Sequence, residues 1–110
     1  MKLPHRDNVL ISREKLVQYI LSEAHALGRF KAKFFQGIGF DKTNVHLLEE
    51  CLRNIAKSEE VKATSSSPYG TKYVIDGEVK TPSGKRVKLR TIWIIEKREV
   101  QPRFVTTYPV

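Results

Sequence analysis

The segment from Arg86 to Glu96 constrains this chain most. Val87, Leu89, Thr91, Trp93 and Ile95 alternate there with Arg86, Lys88, Arg90, Ile92 and Ile94. Alternation at period two marks a strand with two unlike faces, one buried and one turned to solvent. Such a strand needs pairing partners and a layer over its apolar face. One partner lies just upstream. Lys72 to Lys80 reads as a strand with Tyr73, Ile75 and Val79 on one face, and Thr81-Pro82-Ser83-Gly84 reads as the turn between the two strands. After a charged bend over Lys97 to Pro102, the run Arg103 to Tyr108 reads as a last strand. Strict alternation puts Phe104, Thr106 and Tyr108 on one of its faces and Arg103, Val105 and Thr107 on the other. Thr64 to Gly70 is serine-rich and reads as a loop, with Val61 and Lys62 as a weak start to a further strand.

The first half carries helical spacing instead. Ser12 fits an N-cap, with Glu14 in the first turn, and Leu16, Val17, Ile20 and Leu21 predict a short helix over Arg13 to Ser22. A second helix is expected from about Gly28, with Phe30, Phe34 and Ile38 on one face and Gly37 and Gly39 at its end. The third has the clearest pattern. Thr43 or Asn44 caps it, Val45, Leu48, Leu52 and Ile55 form an apolar stripe, and His46, Glu49, Glu50, Arg53 and Lys57 lie on the polar side. Helices first and an antiparallel meander after them give an α+β domain. Two to three N-terminal helices pack on one face of a C-terminal antiparallel sheet of about four strands, and residues 1–110 form a single domain. A chain of 110 residues with 40% hydrophobic content supports one core.

Several classes are excluded early. The single Cys51 can neither close an internal disulfide nor build a zinc cage, and it reads as a structural thiol beside the apolar stripe. His5, His25 and His46 are scattered without metal-ligand spacing, so neither metal nor cofactor is expected. The longest apolar run, Ile92 to Ile95, is far too short for a membrane span, and the N-terminus does not resemble a signal peptide. The expectation is a cytoplasmic protein without a membrane partner.

Charge supplies the positive argument. Lys+Arg number 20 against 12 Asp+Glu, a formal net charge of +8, which favours a polyanionic partner. The surplus is localised. Lys80, Lys85, Arg86, Lys88, Arg90, Lys97 and Arg98 face only Glu96 within their segment, and Arg29, Lys31 and Lys33 face no acid at all. The run His25 to Lys33 reads either as a solvated basic face or as an anion site at a helix entry. Arg86, Lys88 and Arg90 on one strand face read either as edge protection or as a polyanion contact. The terminal run Arg103 to Tyr108 reads either as an ordinary strand or as a place where Arg103 and Tyr108 meet a phosphate and a base.

Taken together, His25 to Phe34, Arg90 to Ile95 and Pro102 to Pro109 resemble an uncharacterised bacterial domain family found as small stand-alone proteins and as toxin tails. Its pattern runs histidine-proline, glycine-arginine-histidine-lysine-alanine, a tryptophan strand and a closing Pro-Arg-x-Val-Thr strand. Ala26 and Phe30 stand here where that pattern has proline and its second histidine. The layout is similar to metal-independent ribonucleases of the barnase and RelE type. The resemblance implies an endoribonuclease toxin of a toxin–antitoxin or contact-dependent system, acting on RNA and covered by a small acidic antitoxin encoded nearby. It implies His25, Arg90, Arg103 and Tyr108 in catalysis, and Arg29, Lys31, Lys33, Arg86, Lys88 and Thr106 in RNA binding. The alternatives are a non-enzymatic nucleic-acid-binding module, or a protein-interaction or antitoxin component.

Overall fold

The computed structural model describes residues 1–20 and 29–110, with the backbone alone at 19, 20, 29 and 30. The long strand forms as its alternation demands. β1 (Ala63–Ser67), β2 (Gly70–Lys80), β3 (Arg86–Glu96) and β4 (Arg103–Pro109) make one antiparallel sheet in the order β1-β2-β3-β4. Helices α1 (Arg13–Lys15), α2 (Arg29–Gly37) and α3 (Val45–Ser58) precede it. This is the α+β arrangement that the pattern of elements implies.

One face of the sheet is the core. Trp93 and Phe104 lie opposite each other and pack edge to face at 5.4 Å, and Ile75, Val79 and Leu89 are buried beside them. The stripe of α3 covers these residues: Val45, Leu48, Leu52 and Ile55 are all buried. Gly77 sets how closely α3 approaches β2. A Cβ there would stand 2.7 Å from Ile55 Cγ1, so the helix rests directly on the strand backbone. Polar groups within the core are closed on one another. The Trp93 indole N–H donates to Thr91 Oγ1 at 2.8 Å, and the Thr91 hydroxyl donates to the carbonyl of Ile75 at 2.7 Å.

Four details differ from the sequence expectation. First, Thr64 to Gly70 is not a loop. Residues Ala63–Ser67 are strand β1, paired from Ala63 opposite Val74 to Ser67 opposite Gly70, and only Pro68 and Tyr69 turn. Every β1 residue is exposed, so this edge strand has no apolar alternation to announce it. Second, α1 begins at the expected cap, with Lys15 N–H donating to Ser12 Oγ. The chain then widens into a π-type turn over Leu16–Ile20, and Leu21 and Ser22 lie outside the described residues. Third, the buried side of α2 is Ala32 and Phe35, followed by Ile38, rather than a stripe through Phe34. Phe34 is half-buried and packs edge to face on Phe35 at 5.2 Å. Gly39, at φ 102°, turns the chain after this helix.

The fourth difference bears on function. Opposite Ile92 and Trp93, β4 contributes Thr106 and Phe104, leaving Val105 as an extra residue in a bulge. The bulge resets the alternation. Phe104 and Thr107 belong to the core face with Trp93 and Thr91, while Arg103, Thr106 and Tyr108 share the open face with Ile94, Ile92 and Arg90.

Candidate nucleic-acid interface

The open face is arranged in cross-strand rows fixed by the register. One row runs Ser65, Lys72, Ile94, Arg103; the next Ala63, Val74, Ile92, Thr106; the third Asp76, Arg90, Tyr108. Nearer the β2–β3 turn stand Glu78 opposite Lys88 and Lys80 opposite Arg86. β2, β3 and β4 therefore bring Lys72, Lys80, Arg86, Lys88, Arg90 and Arg103 to this face, against Asp76, Glu78 and Glu96.

At the β4 edge three further features converge. From α2, Lys31 reaches across the edge, where its ammonium donates to Thr106 Oγ1 at 2.7 Å and lies 5.8 Å from the centre of the Tyr108 ring. This distance is within the range of a cation–π contact. From α1, Lys15 comes close enough to Arg103 and Lys31 to feel both. Burial, and then the charges of Arg103 and Lys31, push its ammonium below the ordinary lysine range. Burial does the same to Lys31. Glu96 is the carboxylate that answers this group, through a contact with Arg103. A cleft of about 200 Å³, lined by Leu10, Glu96, Glu99, Gln101 and Arg103, opens beside it. Lys15 is thus a part-buried lysine whose charged form is disfavoured by burial and by the neighbouring Arg103 and Lys31, an arrangement that a nearby anion would relieve.

Arg90 is bound differently. Its guanidinium donates to both carboxylate oxygens of Asp76, at 2.8 and 2.9 Å, and Lys62 reaches the same carboxylate at 3.1 Å. The Arg90 hydrogen bond, assisted by Lys62 against the opposing effect of burial, holds the Asp76 carboxyl down to about 2. In return Asp76, with a smaller contribution from Tyr108, pushes Arg90 above its ordinary value. The fork of Arg90 is thus occupied within the chain, and its position beside Tyr108 is fixed.

The structure therefore groups Arg90, Arg103 and Tyr108 with Lys31 and Thr106. Arg86 pairs with Glu78 at 3.3 Å and, with the exposed Lys88, stands further along the sheet. Lys33 is exposed, two positions beyond Lys31. His25 lies outside the described residues, and of Arg29 the backbone alone is described. Sequence reasoning did not identify Lys15, Lys62, Asp76 or Glu96. Cys51 is half-buried, and burial together with Glu50 pushes its thiol up, away from nucleophile chemistry. Among the described residues no group of three or more His, Cys, Asp or Glu could hold a metal ion. Nor is any helix among them long and apolar enough to cross a membrane.

Comparison with known proteins places this geometry. The family described as domain of unknown function (DUF6883) matches residues 2–110. No curated protein matches. A chain of the complex between a contact-dependent growth inhibition toxin and its immunity protein from Klebsiella pneumoniae 342 has the same fold. The TM-score is 0.73 at 21% identity, and the match covers 91% of this chain and 98% of that one.

Proposed function

This chain belongs to the DUF6883 domain family, and from that premise we propose that it is the toxin component of a toxin–immunity system, acting as a metal-independent endoribonuclease. The observation that carries the proposal is the convergence of Lys15, Lys31 and Arg103 with Thr106 and Tyr108 at the β4 edge. The fold shared with a chain of a toxin–immunity complex supports it. The toxin side is favoured over the immunity side by the net charge of +8 and its concentration on an open face. A protein that masks a basic toxin needs acid instead.

In the proposed reaction the ribose 2′-hydroxyl gives its proton to a base and attacks the adjacent phosphorus. The O2′–P bond forms, the P–O5′ bond breaks, and the departing 5′-oxygen takes a proton from an acid. Lys15, Lys31 and Arg103 hold the phosphate and answer the charge that develops on its oxygens. Tyr108 and Thr106 orient the nucleotide, and Arg90, fixed by Asp76, positions Tyr108. His25 is the proposed proton carrier, and Arg29 a further proposed phosphate ligand. A small acidic partner protein covers the same face and blocks RNA.

Incubating the purified protein with RNA in excess chelator tests this directly. The expected result is cleavage leaving 2′,3′-cyclic phosphate ends, together with growth arrest on expression. Intact RNA and normal growth would reject the proposal. One observation favours a second reading, a binding module without chemistry: Arg90 and Arg103 already hold carboxylates of the same chain. The two separate on His25→Ala, because an enzyme loses product formation while RNA binding persists, whereas a module has no product to lose; Arg103→Ala weakens binding on either reading and abolishes product only on the first.

A further inference from the structure

The turn joining β1 to β2 and the turn following β3 lie side by side at one end of the sheet. The backbone N–H of Lys97 donates to the carbonyl of Tyr69 at 2.9 Å, and Glu96 stands opposite Gly70 in the ladder. Tyr69 occupies the two-residue connection between Ser67 and Gly70, where its own N–H donates to Ser67 Oγ at 3.2 Å. Its side chain is 79% exposed, the highest value for a large apolar side chain among the described residues. The ring therefore projects into solvent from a short connection whose backbone is hydrogen-bonded on two sides.

Arg98 stands next to Lys97, and both are exposed. Its φ is 71°, in the left-handed region that glycine enters freely and a residue with a side chain enters at steric cost. Backbone strain of this kind concentrates where a side chain serves binding or chemistry. From this end, the row containing Lys72 and Arg103 leads along the open face toward the Lys15–Lys31 cluster.

We infer that the Tyr69–Lys97–Arg98 tip is a second contact for single-stranded RNA, where an unpaired base stacks on Tyr69 and Lys97 and Arg98 hold the phosphates flanking it. The inference rests on the RNA-directed reading of the open face and extends its footprint beyond the reacting phosphate. Stacking on an exposed ring is tolerant of base identity and requires an unstacked base, so the tip favours single strands over duplex.

A short single-stranded 2′-O-methyl oligonucleotide, which cannot be cleaved by attack of the 2′-oxygen, tests the contact apart from the chemistry. By fluorescence anisotropy, Tyr69→Ala weakens binding about tenfold and Tyr69→Phe retains it. Arg98→Gly, whose glycine accepts the left-handed backbone and so keeps the fold, weakens binding and lowers the log–log salt slope by about 0.7. Wild-type affinity in both Tyr69→Ala and Arg98→Gly overturns the inference. Failure of the wild-type chain to bind the oligonucleotide overturns it as well, and cleavage of unmodified RNA by that same preparation leaves the ribonuclease reading standing. Conversely, binding that depends on Tyr69 in a protein that cleaves nothing upholds the tip and removes the ribonuclease.

Discussion

The two faces of the sheet are built from the same strands and solve opposite problems. Thr91 and Arg90 are neighbours on β3, yet Thr91 closes a neutral network with Trp93 and Ile75, while Arg90 is tied to Asp76 and lies beside Tyr108 and the lysines at the β4 edge. On the core face each polar group is satisfied by another neutral group at fixed distance, which is what a low-dielectric interior requires. On the open face the cations outnumber the carboxylates, and Lys15 and Lys31 hold their protons less tightly than free lysine does. The first face is complete within the chain; on the function proposed above, the second is completed by an anion from outside.

Core-face substitutions have the largest expected effects. Trp93 is wholly buried and packed edge to face on Phe104, so Trp93→Ala should lower unfolding free energy by about 3–5 kcal/mol, measured by chemical denaturation. A loss below about 1 kcal/mol would mean that this face is not the closed layer described. Gly77→Ala comes next. Its new Cβ meets Ile55 Cγ1 at 2.7 Å, and overpacking of this kind costs about 1–3 kcal/mol. The Gly77→Ala/Ile55→Ala double variant should lose less than the sum of the two singles, because the second change removes the clash created by the first.

Legibility in the sequence divides along the same line. The core face was readable because burial leaves a periodic trace: Leu89, Thr91 and Trp93 on β3, and Leu48, Leu52 and Ile55 on α3, are buried as their spacing requires. The Asp76–Arg90 pair was also within reach. With one strand ending at Lys80 and the next beginning at Arg86, these two ends face each other, and counting four residues outward puts Asp76 opposite Arg90. β1 was hidden because exposure at every position erases the alternation. The convergence of Arg103 with Thr106 and Tyr108 was hidden too, since the Val105 bulge is a backbone event that strict alternation cannot foresee. Lys15 meets Arg103 and Lys31 through the tertiary fold, and no spacing rule links those three positions.

Asp76→Asn probes the border between the faces. In the folded chain its carboxyl titrates at about 2, through the Arg90 hydrogen bond, against about 3.9 when unfolded. A depressed carboxylate contributes stability that is fully present above the unfolded value and is lost as pH falls through the folded one. The wild type should therefore lose stability between about pH 4 and pH 2, and Asp76→Asn should flatten that limb while being less stable at neutral pH. The same substitution frees the fork of Arg90, so polyanion affinity at pH 7 should rise even as stability falls. A parallel loss of both would mean that Arg90 serves binding only through its fixed position beside Tyr108.

The smallest expected effect discriminates best between a closed face and one awaiting an anion. Lys15 carries a folded pKa below its ordinary 10.5, because burial and the charges of Arg103 and Lys31 oppose its proton. Between the folded and unfolded values the unfolded chain binds more protons, so this lysine's contribution to stability improves as pH rises through that window and is most unfavourable below it. Lys15→Met should then be slightly more stable than the wild type at pH 7 and low salt, within about 0.5 kcal/mol, with the advantage fading toward pH 10.5. Adding a single-stranded polyanion should reverse the order at pH 7, since bound phosphate favours the protonated lysine and stabilises the wild type more than the variant. Thermal melts of the two proteins with and without the polyanion decide the matter. If their order does not change, Lys15 is a surface cation with no part in the site; if it does, the unfavourable burial of the Lys15 charge beside Arg103 and Lys31 is relieved by the bound anion.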